Sequence, residues 1–280
     1  MAISASDVKA LREKTGAGMM DCKKALEECG GDEAAAIKLL KEKGLAAMQK
    51  RADRATDEGC FFLAKNDGGV AIAELTCETD FVAKNEDFIA CGEKIAQQVL
   101  ENKKNAADDS LTALVTDVAT KTRENMALKR VAYVEIPADC AAASYIHSDK
   151  KTVAVTLLKV DPASAKDNEA VKQLAYDCCL HLAAFTPAYV KKEDVSQAYL
   201  DEQREIFASL VAEQMADKPE NVQKNAVEGK LNKLLKDICF MDQMFVKDDK
   251  MSVEKKIAEV ANSCGAKITV EKAVHFVLGK

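Results

Sequence analysis

The distribution of glycine limits this chain more than any single motif does. Twelve glycines occur in 280 residues, most of them before residue 93, and none lies between Gly92 and Gly229. Glycine supplies the left-handed backbone that ends helices and closes tight turns. A long stretch without it reads as mostly helix with a few strands. The glycine-rich first third reads instead as short elements set close together.

Residues 1 to about 54 fit three short helices. Ser4 can cap the first, with Asp7 three residues on to favour its positive end. Val8 and Leu11 give that helix one apolar face before Gly16 stops it. The second is "MMDCKKALEEC", closed by Gly30 and Gly31, and Asp32 caps the third, "EAAAIKLLKEK", which Gly44 is expected to end. Such a bundle buries little area and is marginally stable on its own. "QKRADRATDEG" then reads as a solvated linker.

A hairpin follows, because "CFFLAK" and "VAIAELT" flank the turn "NDGG". Helical segments are expected at about 85–105, where Asn85 can act as a cap, and at 110–126, before the strand "RVAYVEI". The pattern then recurs as "ASYIHS", the turn "DKK" and "TVAVTLLKV", helices from about 166, and a late strand "AKITV". This predicts an α+β fold built on a duplicated hairpin–helices–strand core. The expected divisions are 1–54, a first half-core at 55–140, a second at 141–190 with 237–280, and a polar helical hairpin inserted at 191–236 and broken at Pro219. Val195, Tyr199, Ile206 and Leu210 mark a narrow apolar seam on its first arm. Self-association through 191–236 and a merely solvated hairpin are both open.

Net charge is −6, with basic and acidic residues intermixed, so the basic face that nucleic-acid binding needs is not evident. No apolar run has the length of a membrane span. The N-terminal "MAISASDVKALREK" lacks a leader's apolar core, which makes the cytoplasm the expected compartment. The ten cysteines include no CxxC pair and read as small reduced core residues. Walker-type, GxGxxG and GxSxG motifs are absent. In "DCCLHL", Cys178 and His181 stand one helical turn apart, but zinc needs two more ligands. A packed helix face is the simpler account, and no metal or cofactor is expected. The residues therefore suggest a protein-binding, non-enzymatic chain.

Two segments resist a purely structural reading. In "TGAGMMDCKKAL", adjacent Met19 and Met20 point about 100° apart on a helix, so a tiny bundle can hardly bury both. Flexible methionine suits a contact surface, and Arg12 is near in sequence. The bland alternative has both methionines wrapping a small core. In "CETDFVAKNEDF", Thr79, Asp80 and Phe81 fall after the strand and before the helix. Phe81 is then either a displayed wedge or a ring folded back over the hairpin. The residues alone leave that open.

"LREKTGAGMMDCKKAL" and "CETDFVAKNEDF", in this order, closely resemble the elongation factor Ts family, nucleotide-exchange factors for elongation factor Tu. "RVAYVEI", "SYIHSDKKTVAV", "HLAAFTPAYVKKEDVS" and "FVKDDKMSVEKKIAEV" extend the likeness over nearly the whole chain. The resemblance implies that the first module is ubiquitin-associated-like and docks on the partner's GTP-binding domain through Arg12, Met19 and Met20. It implies that Thr79, Asp80, Phe81, Val82, Ala83 and Lys84 form the exchange element, with Phe81 inserted between two partner helices. It also implies a second contact near His147. A family member with a further C-terminal helical module differs from this chain, which stops at "HFVLGK", so that contact is not expected. Two other classes remain as alternatives: a ubiquitin-associated-like adaptor or RNA-associated protein, and a small-molecule or thiol-dependent α+β enzyme.

Overall fold

A computed structural model describes residues 3–280. The chain has an α+β fold that divides into two compact units. One comprises residues up to Glu135 with Ser148–Thr152 and Val277–Lys280, and the other Ile136–His147 with Val153–Phe276.

The first unit starts with α1 (Ala5–Thr15), where Ser4 and Asp7 form a reciprocal capping box and Gly16 at φ 68° ends the helix. Next are α2 (Met19–Glu28) and α3 (Glu33–Gln49), the latter capped by the Asp32 carboxylate accepting from the Ala35 N–H at 3.0 Å. Val8, Leu11, Cys22, Ala25, Leu26, Ala36 and Leu40 form their small core. Gly44 does not end α3, which runs on to Gln49. A Cβ at Gly44 would sit 2.4 Å from Cγ2 of Thr120, on the later helix α6 (Asp109–Thr122). The residue read as a stop is thus the place where two helices approach closely.

Beyond these helices, β1 (Glu58–Asn66) and β2 (Gly69–Cys77) pair antiparallel from Glu58↔Cys77 to Asn66↔Gly69. β3 (Met126–Glu135) pairs with the other edge of β2, giving the order β1-β2-β3. Alternation along the strands sends Phe62, Ala71, Ala73, Leu75 and Val131 to one face, where α5 (Glu86–Asn102) and α6 cover them with Phe88, Ile95, Val99, Leu111 and Val115. Gly92 lets α5 lie against the sheet, since a Cβ there would be 2.1 Å from the Phe62 ring. Asn85 caps α5, as expected. The stretch read as a solvated linker is tied down. Arg51 is buried and its Nε donates to Ala47 O, while Asn125 Nδ2 donates to the carbonyls of Ala52 and Arg54.

The second unit repeats the plan. β4 (Cys140–Ile146), β5 (Thr152–Asp161) and the late β8 (Lys267–Val277) form a sheet ordered β4-β5-β8, again with the hairpin's second strand central. It packs on α7 (Glu169–Phe185) and α10 (Val253–Cys264), with a short hairpin β6 (Met244–Phe245) and β7 (Asp248–Ser252) before α10. The polar insertion is the helix pair α8 (Gln197–Gln214) and α9 (Glu220–Ile238), with Pro219 at the start of α9. Its seam follows the expected one at Val195 and Tyr199 and departs from it by one residue from Ile206 onward. Val195 is buried and Tyr199 half-buried, Leu200 and Phe207 pack in the same cluster as Leu231 and Leu235 of α9, and Val211 is buried, while Ile206 and Leu210 remain 45% and 41% exposed. One residue on a helix is a rotation of about 100°, and both stripes are apolar, so pairing of the arms decides which is covered.

Candidate protein-docking surface

Thr79–Lys84, which the sequence placed between the end of a strand and the start of a helix, contains a helical turn. α4 (Asp80–Ala83) is one short turn, with Thr79 as its cap and Thr79 Oγ1 accepting from the Val82 N–H. Its inward residues are fixed: Ala83 is buried and Val82 packs on the core beneath. The backbone on either side is held as well. The Cys77 thiol donates to Thr79 O at 3.2 Å, and the Cys60 thiol approaches Ala83 O at 3.8 Å.

Two carboxylates cross between the end of β2 and the α6–β3 connection. Glu124 accepts from the N–H groups of Glu78 (3.1 Å) and Thr79 (3.0 Å) and from the Thr79 hydroxyl (2.6 Å). Glu78 accepts in return from the Asn125 N–H at 2.6 Å and from Arg54. These bonds, the Asn125 N–H foremost, hold the Glu78 carboxyl below its ordinary range.

On this fixed turn Phe81 is 82% exposed. A phenyl ring left in water on an otherwise well-packed element gains nothing from its own fold. The reading in which the ring folds back over the hairpin is therefore not what the structure adopts. Asp80 lies beside it and pairs with Lys84 at 2.7 Å, and that hydrogen bond holds the Asp80 carboxyl below its usual value. Both side chains are half-exposed or more, so the pair shapes the surface without contributing much to stability.

The second patch forms at the start of α2. Gly16 turns the chain at φ 68°, and Gly18 precedes Met19 in extended conformation. Met19 and Met20 are both exposed, at 42% and 63%, so neither wraps the small core. Arg12 is exposed on the last turn of α1. Asp21 pairs with Arg123 at 2.6 Å, and Gly18 leaves room for that guanidinium, since a Cβ would be 2.7 Å from Nη2. His147, in the second unit, is exposed just beyond β4, with Nδ1 2.8 Å from the Tyr145 hydroxyl. Glu124, Glu78 and Asn125 escaped the sequence reading: Glu124 meets Thr79 from 45 residues away, and no local pattern announces such a partner.

The thiol and metal alternatives meet different geometry. All ten cysteines are free, and all but Cys29 and Cys264 are buried. Burial is the main cause that pushes the thiol of Cys77 up to about 12 and those of Cys91, Cys140, Cys179 and Cys239 to about 11, the direction opposite to a reactive thiolate. Cys178 is pushed up too, again mainly by burial. His181, one turn on, is fully buried among Phe185, Phe240 and Phe245. Its Nδ1 accepts from the Val246 N–H at 3.1 Å, so Nε2 carries the proton donated to Gln243 Oε1 at 2.9 Å. Both ring nitrogens are committed within the core. Among the described residues, no group of three or more His, Cys, Asp or Glu is arranged to hold a metal, and no helix is long and apolar enough to cross a membrane.

Comparison with known proteins agrees with the sequence resemblance. Residues 78–280 match the family model described as Elongation factor TS. The chain is 52% identical over 279 residues to an elongation factor Ts from Treponema denticola, covering 100% of this chain and 99% of that protein. It is 48% identical over 290 residues to the one from Treponema pallidum subsp. pallidum, with coverage of 100% and 99%. Against the one from Nitratidesulfovibrio vulgaris the identity is 38% over 284 residues, covering 100% and 97%. With identity at this level along the full chain, the protein belongs to the elongation factor Ts family of translation elongation factors.

Proposed function

We propose that this chain binds elongation factor Tu and speeds release of its GDP, with Phe81 as the wedge that enters the GTP-binding domain. The observation that carries this reading is the 82% exposed phenyl ring on a turn whose flanking backbone is fixed at both ends. Complete burial of such a ring is worth about 1.5–3 kcal/mol, or roughly 10- to 150-fold in an equilibrium constant. That is too little to expel a tightly held nucleotide unaided. The rest comes from docking: Arg12, Met19 and Met20 of the first module anchor the chain, and the surface at His147 makes a second contact. Thr79 to Lys84 act as the exchange element, with Asp80 beside the wedge.

The nucleotide and its magnesium belong to the partner, and this chain makes and breaks no covalent bond. It works in the cytoplasm with the translation machinery. The exposed Ile206 and Leu210 on α8 support a further role for residues 191–236 as a self-association arm; sedimentation of the chain with both residues changed to Ser tests it. The exchange reading is tested by mixing elongation factor Tu carrying fluorescent GDP with excess unlabelled GDP in a stopped-flow instrument. Release should accelerate as the chain is added. An unchanged rate at saturating chain overturns the proposal.

A further inference from the structure

We propose that Glu124 is a positioning residue for the wedge, an inference that rests on the exchange reading of Phe81. Its carboxylate takes every polar hydrogen that Thr79 offers, the N–H at 3.0 Å and the hydroxyl at 2.6 Å, together with the Glu78 N–H at 3.1 Å. The same Thr79 oxygen then caps α4 by accepting from the Val82 N–H. The chain of contacts therefore runs from the α6–β3 connection through Glu124 and Thr79 to the turn that displays Phe81. At the far end of the turn the ties are a backbone hydrogen bond from the Asn85 N–H to Val82 O at 2.9 Å and the long 3.8 Å approach of the Cys60 thiol to Ala83 O, with no charged acceptor between them. Hydrogen bonds to a carboxylate are the stronger kind, so the orientation of the wedge depends most on the Glu124 end.

Position in the fold adds to the argument. The neighbouring Arg123 closes α6 in the left-handed conformation at φ 63°, and its guanidinium holds Asp21, two residues beyond Met19. One connection thus touches both the wedge turn and the start of the methionine patch. A wedge oriented before it meets its target avoids the cost of ordering at the insertion step that follows docking. Glu124 supplies that orientation through Thr79, with both carboxylate oxygens taken up within this chain.

The test measures labelled-GDP release from elongation factor Tu over a range of chain concentrations, giving a maximal rate and a half-saturating concentration. Glu124→Ala should lower the maximal rate about tenfold, the scale of one lost charge-assisted hydrogen bond. The half-saturating concentration should stay within about twofold, because the methionine patch is intact. Glu124→Gln keeps the length and one acceptor oxygen but not the charge or the second acceptor, and should give a rate between those of wild type and the Ala variant. Glu124→Asp keeps the charge but falls a methylene short and should behave like the Ala variant. In a Phe81→Ala background, Glu124→Ala should cost no more than about twofold further, since its effect passes through the ring. The inference is overturned if Phe81→Ala slows release while both Glu124→Ala and Glu124→Asp leave the maximal rate unchanged. It is equally overturned if the Glu124 and Phe81 losses multiply in the double variant. If Phe81→Ala alone changes nothing, the exchange reading fails first, and the positioning role with it. Should Glu124→Ala not fold, the Gln and Asp variants carry the same comparison.

Discussion

Replacing Phe81 by alanine removes a ring that the fold does not use and the proposed complex needs. Because 82% of the residue is exposed, about that share of the full burial energy remains to be gained on docking, roughly 1.2–2.5 kcal/mol. Removing the ring should therefore slow GDP release about 8- to 70-fold at a fixed subsaturating concentration of the chain. Stability of the isolated chain should change by less than about 0.5 kcal/mol, as for other exposed positions. The turn keeps its Val82 and Ala83 packing and its Glu124 bonds. Stopped-flow release of fluorescent GDP gives the rate, and urea unfolding of the variant gives the stability. A rate within twofold of wild type with an unchanged urea midpoint refutes the wedge. A large fall in stability would refute the claim that the ring lies outside the fold.

Three further outcomes follow from the structure. Met20→Ala should weaken association with elongation factor Tu several-fold, in proportion to the 63% exposed side chain lost, and leave the melting temperature unmoved; calorimetric titration measures it. Gly44→Ala would ordinarily stabilise a helix interior by about 0.8–1 kcal/mol, but here the new methyl meets Thr120, whose hydroxyl is already bonded to Thr116 O, so a net loss of about 1 kcal/mol is expected in thermal unfolding. Stability should also fall as pH drops from 7.5 to 5.5. Burial lowers the His181 pKa below 6.5, only partly opposed by its Gln243 hydrogen bond. The folded chain then binds fewer protons than the unfolded one below about pH 6.5, and His275, lowered by burial, adds in the same direction. Urea midpoints at the two pH values check this, and a midpoint that rises toward pH 5.5 contradicts it.

What could be read from sequence was what local chemistry determines. Ser4 with Asp7, Asp32 and Asn85 announce helix starts, because a cap and its target N–H lie within three residues of each other. The hairpin turns and the repeated hairpin–helices–strand plan were legible for the same reason, and the two sheets have equivalent strand orders. Gly44 was misread because its meaning depends on Thr120, a residue on another helix. The α8 seam was read correctly at Val195 and Tyr199 but one residue off at Ile206 and Leu210, because two adjacent apolar stripes satisfy the same spacing and only α9 chooses between them. At the docking surface, two adjacent methionines in a very small bundle and an aromatic beyond a strand end were visible as surplus apolar groups. The carboxylate that holds the α4 turn was not, since Glu124 and Thr79 lie 45 residues apart and are brought together by the packing of α5 and α6 on the sheet.

The claim that this chain opposes nucleotide on elongation factor Tu is tested most directly by a closed thermodynamic cycle. Four dissociation constants are measured by calorimetry or fluorescence: GDP from the partner with and without this chain bound, and this chain from the partner with and without GDP. The account predicts that the chain weakens GDP binding, and that GDP weakens binding of the chain by the same factor. Equal affinity of the chain for nucleotide-free and GDP-loaded elongation factor Tu would contradict it.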